Sequence, residues 1–459
     1  MASPTRVAVV GGGIAGLVAT RKLVRSGLNV SLLEESDRLG GKIATEAVDD
    51  VEIDAGPDSF LARDPAAVEL CRDLGLGDQL VSPAVFGAYV WLGRDLRKVP
   101  AGFPYGLPVA PAAAWRTGVL TARGAARAAA DLVLPNRLSD SDVSIGEFVR
   151  SRFGDEALER LVDPLLAGTR AGRADDISLR AATPQIDALA RSDRSVIRAV
   201  RRERRRGRLE SGPPPFLAVK GGIVRVVDRL QDELEGKADV HAGRRVTRVG
   251  VERGRYRLET TDGSIVSDAV ILAVPAFVAA NLLEEALPDA AALLARVEYA
   301  SVAVATLVFP PRSFAPPRGG SGFLVPSGAG RTVAACTWYS TKWPHAAPVD
   351  GRQIVRAFVG RAAGDGALAA SDDELIARVA GELHDAMGFA EPPVARALTR
   401  WERALPQYAV GHAERMDEIE ALLPPAMAVA GAGYRGSGLP DCIRQAQQAA
   451  AHIRATLEP

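Results

Sequence analysis

Cysteine is scarce in this chain: 459 residues hold three, Cys71, Cys336 and Cys442, and no two form a CxxC pair. That argues against a disulfide scaffold and a cysteine zinc site, and a reducing compartment fits. Histidine is nearly as rare, and His241, His345, His384, His412 and His452 never fall at i, i+4 spacing. No metal site is expected. Net charge is missing as well, since 56 basic residues balance 56 acidic ones, which argues against a nucleic-acid partner. Long apolar runs are also absent. The best two, Ala269 to Ala280 and Ser301 to Pro311, contain or end in proline and fall short of the ~18 residues that span a bilayer. The chain reads as soluble and cytoplasmic.

What is present starts at the first strand. Val7 to Val10 form an apolar run suited to a strand buried on both faces. Gly11, Gly13 and Gly16 follow with the G-x-G-x-x-G spacing of a dinucleotide turn. In that turn one glycine bends the chain, one admits the pyrophosphate and one lets the helix sit on the strand. Because these glycines fall where such a turn needs them, the apolar stretch after Arg6 is not read as a signal peptide. Asn29 to Leu33 read as the second strand, ending in Glu34, eighteen residues past Gly16. A carboxylate there accepts from ribose hydroxyls and disfavours a 2′-phosphate, leaving FAD or NAD. Gly11, Gly12, Gly13, Ile14, Ala15 and Gly16 are therefore the expected phosphate-side contacts, with Glu34 and Glu35 on the ribose side. Arg38, Gly40, Gly41 and Lys42 add a second glycine pair and two cations just beyond. A nicotinamide enzyme does not need them, whereas a buried, extended FAD needs chain close along its pyrophosphate and ribityl. FAD is the expected cofactor.

The remaining order suggests an α/β (α+β) fold of three parts: a discontinuous Rossmann-like FAD-binding domain, a helical insert and a mixed-sheet substrate domain. The expected boundaries are 1–90, 213–280 and 401–459 for the cofactor, 91–212 for the insert and 281–400 for the substrate domain. In the insert, Ala113 to Leu134 and Ile145 to Leu166 read as helices, the second with Ser144 as N-cap and Glu147 at its third position. The run Arg201 to Arg206 reads first as a solvated face, with an anionic membrane or an acidic partner as the alternative. Pro213 to Pro215 mark the return to the core. Later runs, Val302 to Phe309, Val333 to Tyr339 and Gln353 to Val359, read as strands, and Asp372 to Met387 as a helix. A buried strand at Met427, a second glycine turn and a final helix close the chain, so two distant glycine turns would clasp one large ligand.

Several segments together resemble the oxygen-dependent porphyrinogen oxidases, a branch of the amine oxidase-like flavoproteins. They are Asp54 to Leu61, Gly322 to Pro326, Trp338 to Pro344, Arg400 to His412 (with Leu-Pro-Gln-Tyr-x-x-Gly-His) and Gly436 to Cys442. The resemblance implies oxidation of a porphyrinogen to a porphyrin by FAD and dioxygen, six electrons in all, with hydrogen peroxide released. No dedicated acid or base is expected, and for His412 a hydrogen-bonded core role outweighs a catalytic one. By the same analogy Gly56, Pro57, Asp58, Ser59, Val246, Trp401, Ser437, Gly438 and Leu439 should also contact FAD. Gly322 and Leu324 should line the macrocycle pocket, with Lys342 and Arg356 as further substrate-binding residues.

Two other classes compete: an amine or polyamine oxidase of the same superfamily, and a non-catalytic FAD or porphyrin carrier. Amine oxidases usually frame the flavin with aromatics, and aromatic residues make up only 5% of this chain. Between porphyrinogens, the loop Pro100 to Tyr105 lacks the arginine that relatives acting on protoporphyrinogen IX set against a propionate. Arg97, Lys98, Lys342, Arg356 and Arg361 instead suggest several cations for the four carboxylates of coproporphyrinogen III, the expected substrate, with protoporphyrinogen IX second. The expected partners are porphyrinogen and dioxygen, with peripheral contact to an anionic membrane or the next pathway enzyme through the insert.

Overall fold

The computed structural model describes residues 5–135, 138, 140–207, 216–252, 254–362 and 366–458. Five parallel strands form the first sheet, in the order Asp239–His241, Asn29–Leu33, Arg6–Val10, Ala269–Leu272 and Met427–Val429. Strands far apart in sequence thus become neighbours, with Val7 set between Val30 and Ala269. Successive side chains of a strand point to opposite faces, and here each face has its own cover. Val7 and Val9 pack with Leu17, Val226 and Ile443, from the helices Ile14–Arg25, Val224–Leu234 and Leu439–Leu457. Ala8 and Val10 pack with Val249 and Leu258 of a three-stranded antiparallel sheet. Burying a side chain such as Leu17, fully covered, is worth about 1.5–3 kcal/mol. The double cover explains why the Val7 to Val10 run has no polar alternation.

The second sheet has seven strands, in the order Ala395–Pro406, Tyr299–Phe309, Gln353–Val359, Val333–Trp338, Gly322–Leu324, Tyr89–Leu92 and Asp95–Lys98. Only the pairing of Gly322–Leu324 with Tyr89–Leu92 is parallel, so the sheet is mixed, as expected. The helix Asp372–Met387 covers it, started by Ser371, whose hydroxyl accepts from Glu374 N while Glu374 accepts from Ser371 N. Two strands cross the boundaries expected from sequence. Tyr89–Leu92 straddles residue 90 because Tyr89, Val90 and Trp91 are all buried in this sheet. Ala395–Pro406 runs unbroken through residue 400.

The insert departs most from its sequence reading. Ala113 to Leu134 is not one helix but two, Pro111–Arg116 and Ala122–Ala129, separated where Gly118 takes φ 73°. Ser144 does cap Ile145–Phe153, its hydroxyl accepting from Glu147 N at 3.0 Å. That helix stops at Gly154, φ 90°, and Arg127 donates to the freed carbonyls of Arg150, Ser151 and Arg152. The chain resumes through a wide turn at 158–162 into Asp163–Arg170. Both breaks fall at glycines with positive φ, Gly118 and Gly154. Pro213 to Pro215 lie outside the described residues. Among the described residues no helix is long and apolar enough to cross a membrane.

Candidate cofactor site

The first glycine turn is made by close approach. A Cβ on Gly16 would stand 1.8 Å from Gly11 O, and one on Gly11, φ 103°, would stand 2.5 Å from Ala273 O. At Gly13 the added Cβ would meet nothing within 4 Å, so the turn faces open space there. The helix Ile14–Arg25 begins at this gap with no acidic residue in its first turn and no side-chain cap. Its free N–H groups and positive dipole end, with Ile14 and Ala15 leading, are suited to an anion.

Around this turn the second glycine pair closes in. Gly40 N donates to Gly12 O at 2.8 Å, and a Cβ on Gly41 would lie 3.3 Å from Gly13 Cα. Glu34 accepts from Gly12 N (2.6 Å), Ser36 N (2.9 Å) and Ser36 Oγ (2.7 Å). Three acceptances leave a carboxylate one lone-pair site for a hydroxyl. Glu35 is exposed and pairs with Arg245 at 3.6 Å. Arg38 donates to Gly41 O (2.7 Å) and Ile43 O (3.2 Å), bracing the glycine loop. Lys42 is the cation left over. Burial lowers its pKa, with Cys442 acting weakly the other way, and it has no carboxylate partner among the described residues. Val246 is buried in the same apolar cluster as Val10 and Leu33.

The Gly56 turn is held by charge. A Cβ on Gly56 would stand 2.0 Å from Lys42 O, and Trp401 Nε1 donates to Ala55 O at 3.1 Å. Two residues on, Asp58 accepts from Lys342 Nζ, from Trp343 Nε1 and from Ser59 Oγ, at 3.2, 3.2 and 2.7 Å. Arg356 lies 3.9 Å from the same carboxylate and donates to Gly56 O at 3.1 Å. Burial alone would raise Asp58, but Lys342 and Arg356, helped by these hydrogen bonds, outweigh it and hold the carboxyl at about 2. Lys342 and Arg356, expected at the substrate, both lie on this protein carboxylate. A buried carboxylate in a turn needs counter-charge, and they supply it. Asp54, four residues before Asp58 at the end of the strand Val51–Asp54, is pushed up to about 6 by burial despite a hydrogen bond from Ile223 N at 2.9 Å. Asp54 and Asp58 both line a cavity of about 200 Å³ with Tyr339, Trp343 and His345. Pro57 completes the turn between them.

The C-terminal glycine turn meets the first helix, a Cβ on Gly431 reaching Ala15 Cβ at 3.9 Å. Ser437, Gly438 and Leu439 open the last helix, with Gly438 N donating to Asp441 at 3.2 Å. What shapes this turn is the Leu-Pro-Gln-Tyr run. Tyr408 Oη donates to Ala432 O (2.6 Å) and accepts from Gly436 N (2.9 Å). His412 stacks on Tyr408 at 4.1 Å and its Nε2 is 2.7 Å from Tyr434 O. A carbonyl only accepts, so Nε2 carries the proton. Burial lowers the His412 pKa to about 4. The ring is neutral and structural, as weighed from the sequence.

Sequence reasoning missed Arg170, from the insert, which donates to Ser437 Oγ at 3.2 Å while its carbonyl accepts from Gln407 Nε2 at 2.9 Å. Gln407, Tyr408 and His412 gave a signal, three hydrogen-bonding side chains in one short run, whereas Arg170 gave none. Gly322 is buried in its pairing with Thr337, and Leu324 lies against Gly168 of the same insert helix. Of the other basic residues expected near the pocket, Arg97 pairs with Asp95, Lys98 donates to Arg318 O and Arg361 to Ser327 Oγ.

The model of the family described as flavin containing amine oxidoreductase matches residues 14–454. The chain is 36% identical to coproporphyrinogen III oxidase of Bacillus subtilis (strain 168), with 96% of each chain covered. It is 34% identical to the protein of that name from Propionibacterium freudenreichii, covering 98% of this chain and 91% of the relative. A solved structure from Exiguobacterium sp. 255-15, described as a protoporphyrinogen oxidase, superposes with a TM-score of 0.87 at 33% identity over 100% of both chains.

Proposed function

The chain belongs to the flavin containing amine oxidoreductase family, and from that premise we propose that it oxidises coproporphyrinogen III to coproporphyrin III in haem biosynthesis. The observation that carries the substrate is the full-length similarity to bacterial coproporphyrinogen III oxidases. The cofactor is FAD, and the residues present suit it. The open space over Gly13, the uncapped helix start at Ile14 and the unpaired Lys42 form an anion cradle. Glu34 retains acceptor capacity for the ribose, Gly56 to Ser59 and Trp401 offer a rigid edge, and Ser437 to Leu439 bring the second helix start. Bound FAD supplies a two-electron acceptor for hydride.

The chain's own part is positioning and exclusion of water. Asp58, Lys342 and Arg356 fix the Gly56 turn against the seven-stranded sheet, while Tyr408 and His412 fix the C-terminal turn. His412 is neutral and hydrogen-bonded, so it offers no proton at the reaction. In total the porphyrinogen loses six electrons and six protons, which three dioxygen molecules take up as three hydrogen peroxide. We assign the parallel sheet and its helices to the cofactor, the mixed sheet to the macrocycle, and the insert to the lid over the seam at Leu324 and Gly168. We place the protein in the cytoplasm, with the insert as its face toward an anionic membrane or the enzyme that takes the product.

Protoporphyrinogen IX is the second reading, favoured by the description of the Exiguobacterium structure. Both substrates are offered to the flavin-saturated enzyme at equal oxygen, with porphyrin fluorescence and peroxide measured. The expected result is a higher kcat/KM for coproporphyrinogen III and one peroxide per two electrons. A higher value for protoporphyrinogen IX reverses the assignment, and no porphyrin from either removes it.

A further inference from the structure

The helix Val196–Arg205 turns Val196, Ile197, Ala199 and Val200 into the core of the insert. Its outer side is arginine. Arg198, Arg201, Arg202, Arg205 and Arg206 stand at i, i+3, i+4, i+7 and i+8, which places them on one helix face. They line a surface groove of about 360 Å³.

The structure sorts this array in a way the linear run Arg201 to Arg206 does not. Arg204 points elsewhere and donates to Gly102 O. Arg202 pairs with Asp193 at 2.6 Å, and Arg206 with Glu203 at 3.2 Å. Arg198, Arg201 and Arg205 are exposed and have no carboxylate partner among the described residues. Like charges one turn apart destabilise a helix, and Arg198 with Arg202 and Arg201 with Arg205 are two such pairs. The dipole excuses cations in the last turn, but Arg198 is in the first turn, where a cation is disfavoured. A face that only needed solvation would mix signs, whereas on this one Arg198, Arg201 and Arg205 stand exposed beside the paired Arg202 and Arg206.

Guanidinium groups fork onto phosphate oxygens in pairs. From Arg198 to Arg205 the helix rises roughly 10 Å, longer than one phosphate group and suited to several in a row. We propose that this groove binds phosphate-bearing polyanions, as free oligophosphate or as the headgroups of a phosphate-rich membrane surface, through Arg198, Arg201 and Arg205. The proposal stands apart from the oxidase reading, since none of these side chains touches the glycine turns.

The test uses the FAD-loaded protein. Inorganic tripolyphosphate is titrated calorimetrically at low and high salt, and sedimentation with phosphatidylglycerol vesicles is compared with phosphatidylcholine vesicles. The expected result is binding at low salt that fades as salt screens it and that weakens at least about tenfold in Arg198→Gln/Arg201→Gln/Arg205→Gln. FAD content, melting temperature and porphyrinogen turnover should stay unchanged. Tripolyphosphate binding alone assigns a free oligophosphate, and vesicle binding alone assigns a headgroup. Binding of neither probe by the unmodified protein, or undiminished binding by the triple variant, overturns the proposal. Should the triple variant unfold, the single reversal Arg205→Glu must still weaken binding, and failure to do so overturns it too.

Discussion

Two turns at the candidate cofactor site are held by opposite means. The Gly11 to Gly16 turn contains no charge of its own, and its shape comes from backbone in near contact and from Glu34 reaching over to Gly12 N. The Gly56 to Ser59 turn is built around a buried carboxylate with two cations, an indole and a hydroxyl on it. The first turn is closed by packing and has to receive an anion, so a fixed negative side chain at its mouth would work against it. The second joins the parallel-sheet region to the seven-stranded sheet, and charge fixes the distance between two separately packed bodies. Packing sets the local shape of the first turn, and electrostatics set the long-range placement of the second.

Removing the charge should therefore have the larger effect on stability. Asp58→Asn leaves the buried Arg356 and the half-buried Lys342 without the carboxylate they share, a loss of about 3–5 kcal/mol, read from urea unfolding. A loss under about 1 kcal/mol would mean that solvent reaches the cluster and that the contrast between the turns is false. Gly16→Ala tests the other side. The new Cβ would meet Gly11 O at 1.8 Å, and the helix must back away at a cost of about 1–3 kcal/mol. Here the signature should be weakened FAD binding with the seven-stranded sheet undisturbed, measured by flavin titration of the apoprotein.

The same contrast governs what the sequence revealed. Shape made by glycine spacing is local, so the Gly11, Gly13, Gly16 turn and the strands beside it were readable residue by residue. Charge partners lie hundreds of residues apart: Asp58 meets Lys342 and Arg356 only after folding, so their pairing with a carboxylate could not be read from the sequence. The insert was misread for a third reason. Pro111–Arg116 and Ala122–Ala129 are two helices, the first ending before Gly118 at φ 73° and the second started afresh by the Thr121 hydroxyl, which accepts from Gly124 N.

The C-terminal turn combines both principles on a smaller scale. Tyr408→Phe removes one hydroxyl that serves Ala432 O and Gly436 N, leaving a buried acceptor and donor unpaired at about 1–3 kcal/mol. His412 should keep its neutral ring. Flavin affinity is expected to fall while the urea midpoint moves less than in Asp58→Asn; equal shifts in both variants would remove the distinction drawn between the turns.

The subtlest test is pH, because the two aspartates on the cavity beside Tyr339 carry opposite signs. Asp58 is held at about 2 when folded, below the ordinary value of about 3.9. Its contribution is present above pH 4 and is lost as pH falls through 4 toward 2. Asp54 is raised to about 6 by burial, so the folded state favours its protonated form. That contribution is complete below pH 4 and is lost as pH rises from 4 through 6, a change of roughly 2–3 kcal/mol. Of the two, only Asp54 titrates in the upper window. Stability of the parent protein, from urea midpoints, should therefore fall between pH 4.5 and 6.5 relative to Asp54→Asn, whose amide has no charge to bury. The amide oxygen of that variant can still accept from Ile223 N, which keeps the local hydrogen bond out of the comparison. If the two proteins track each other across that window, Asp54 is already ionised when folded, and water rather than protein surrounds its carboxylate.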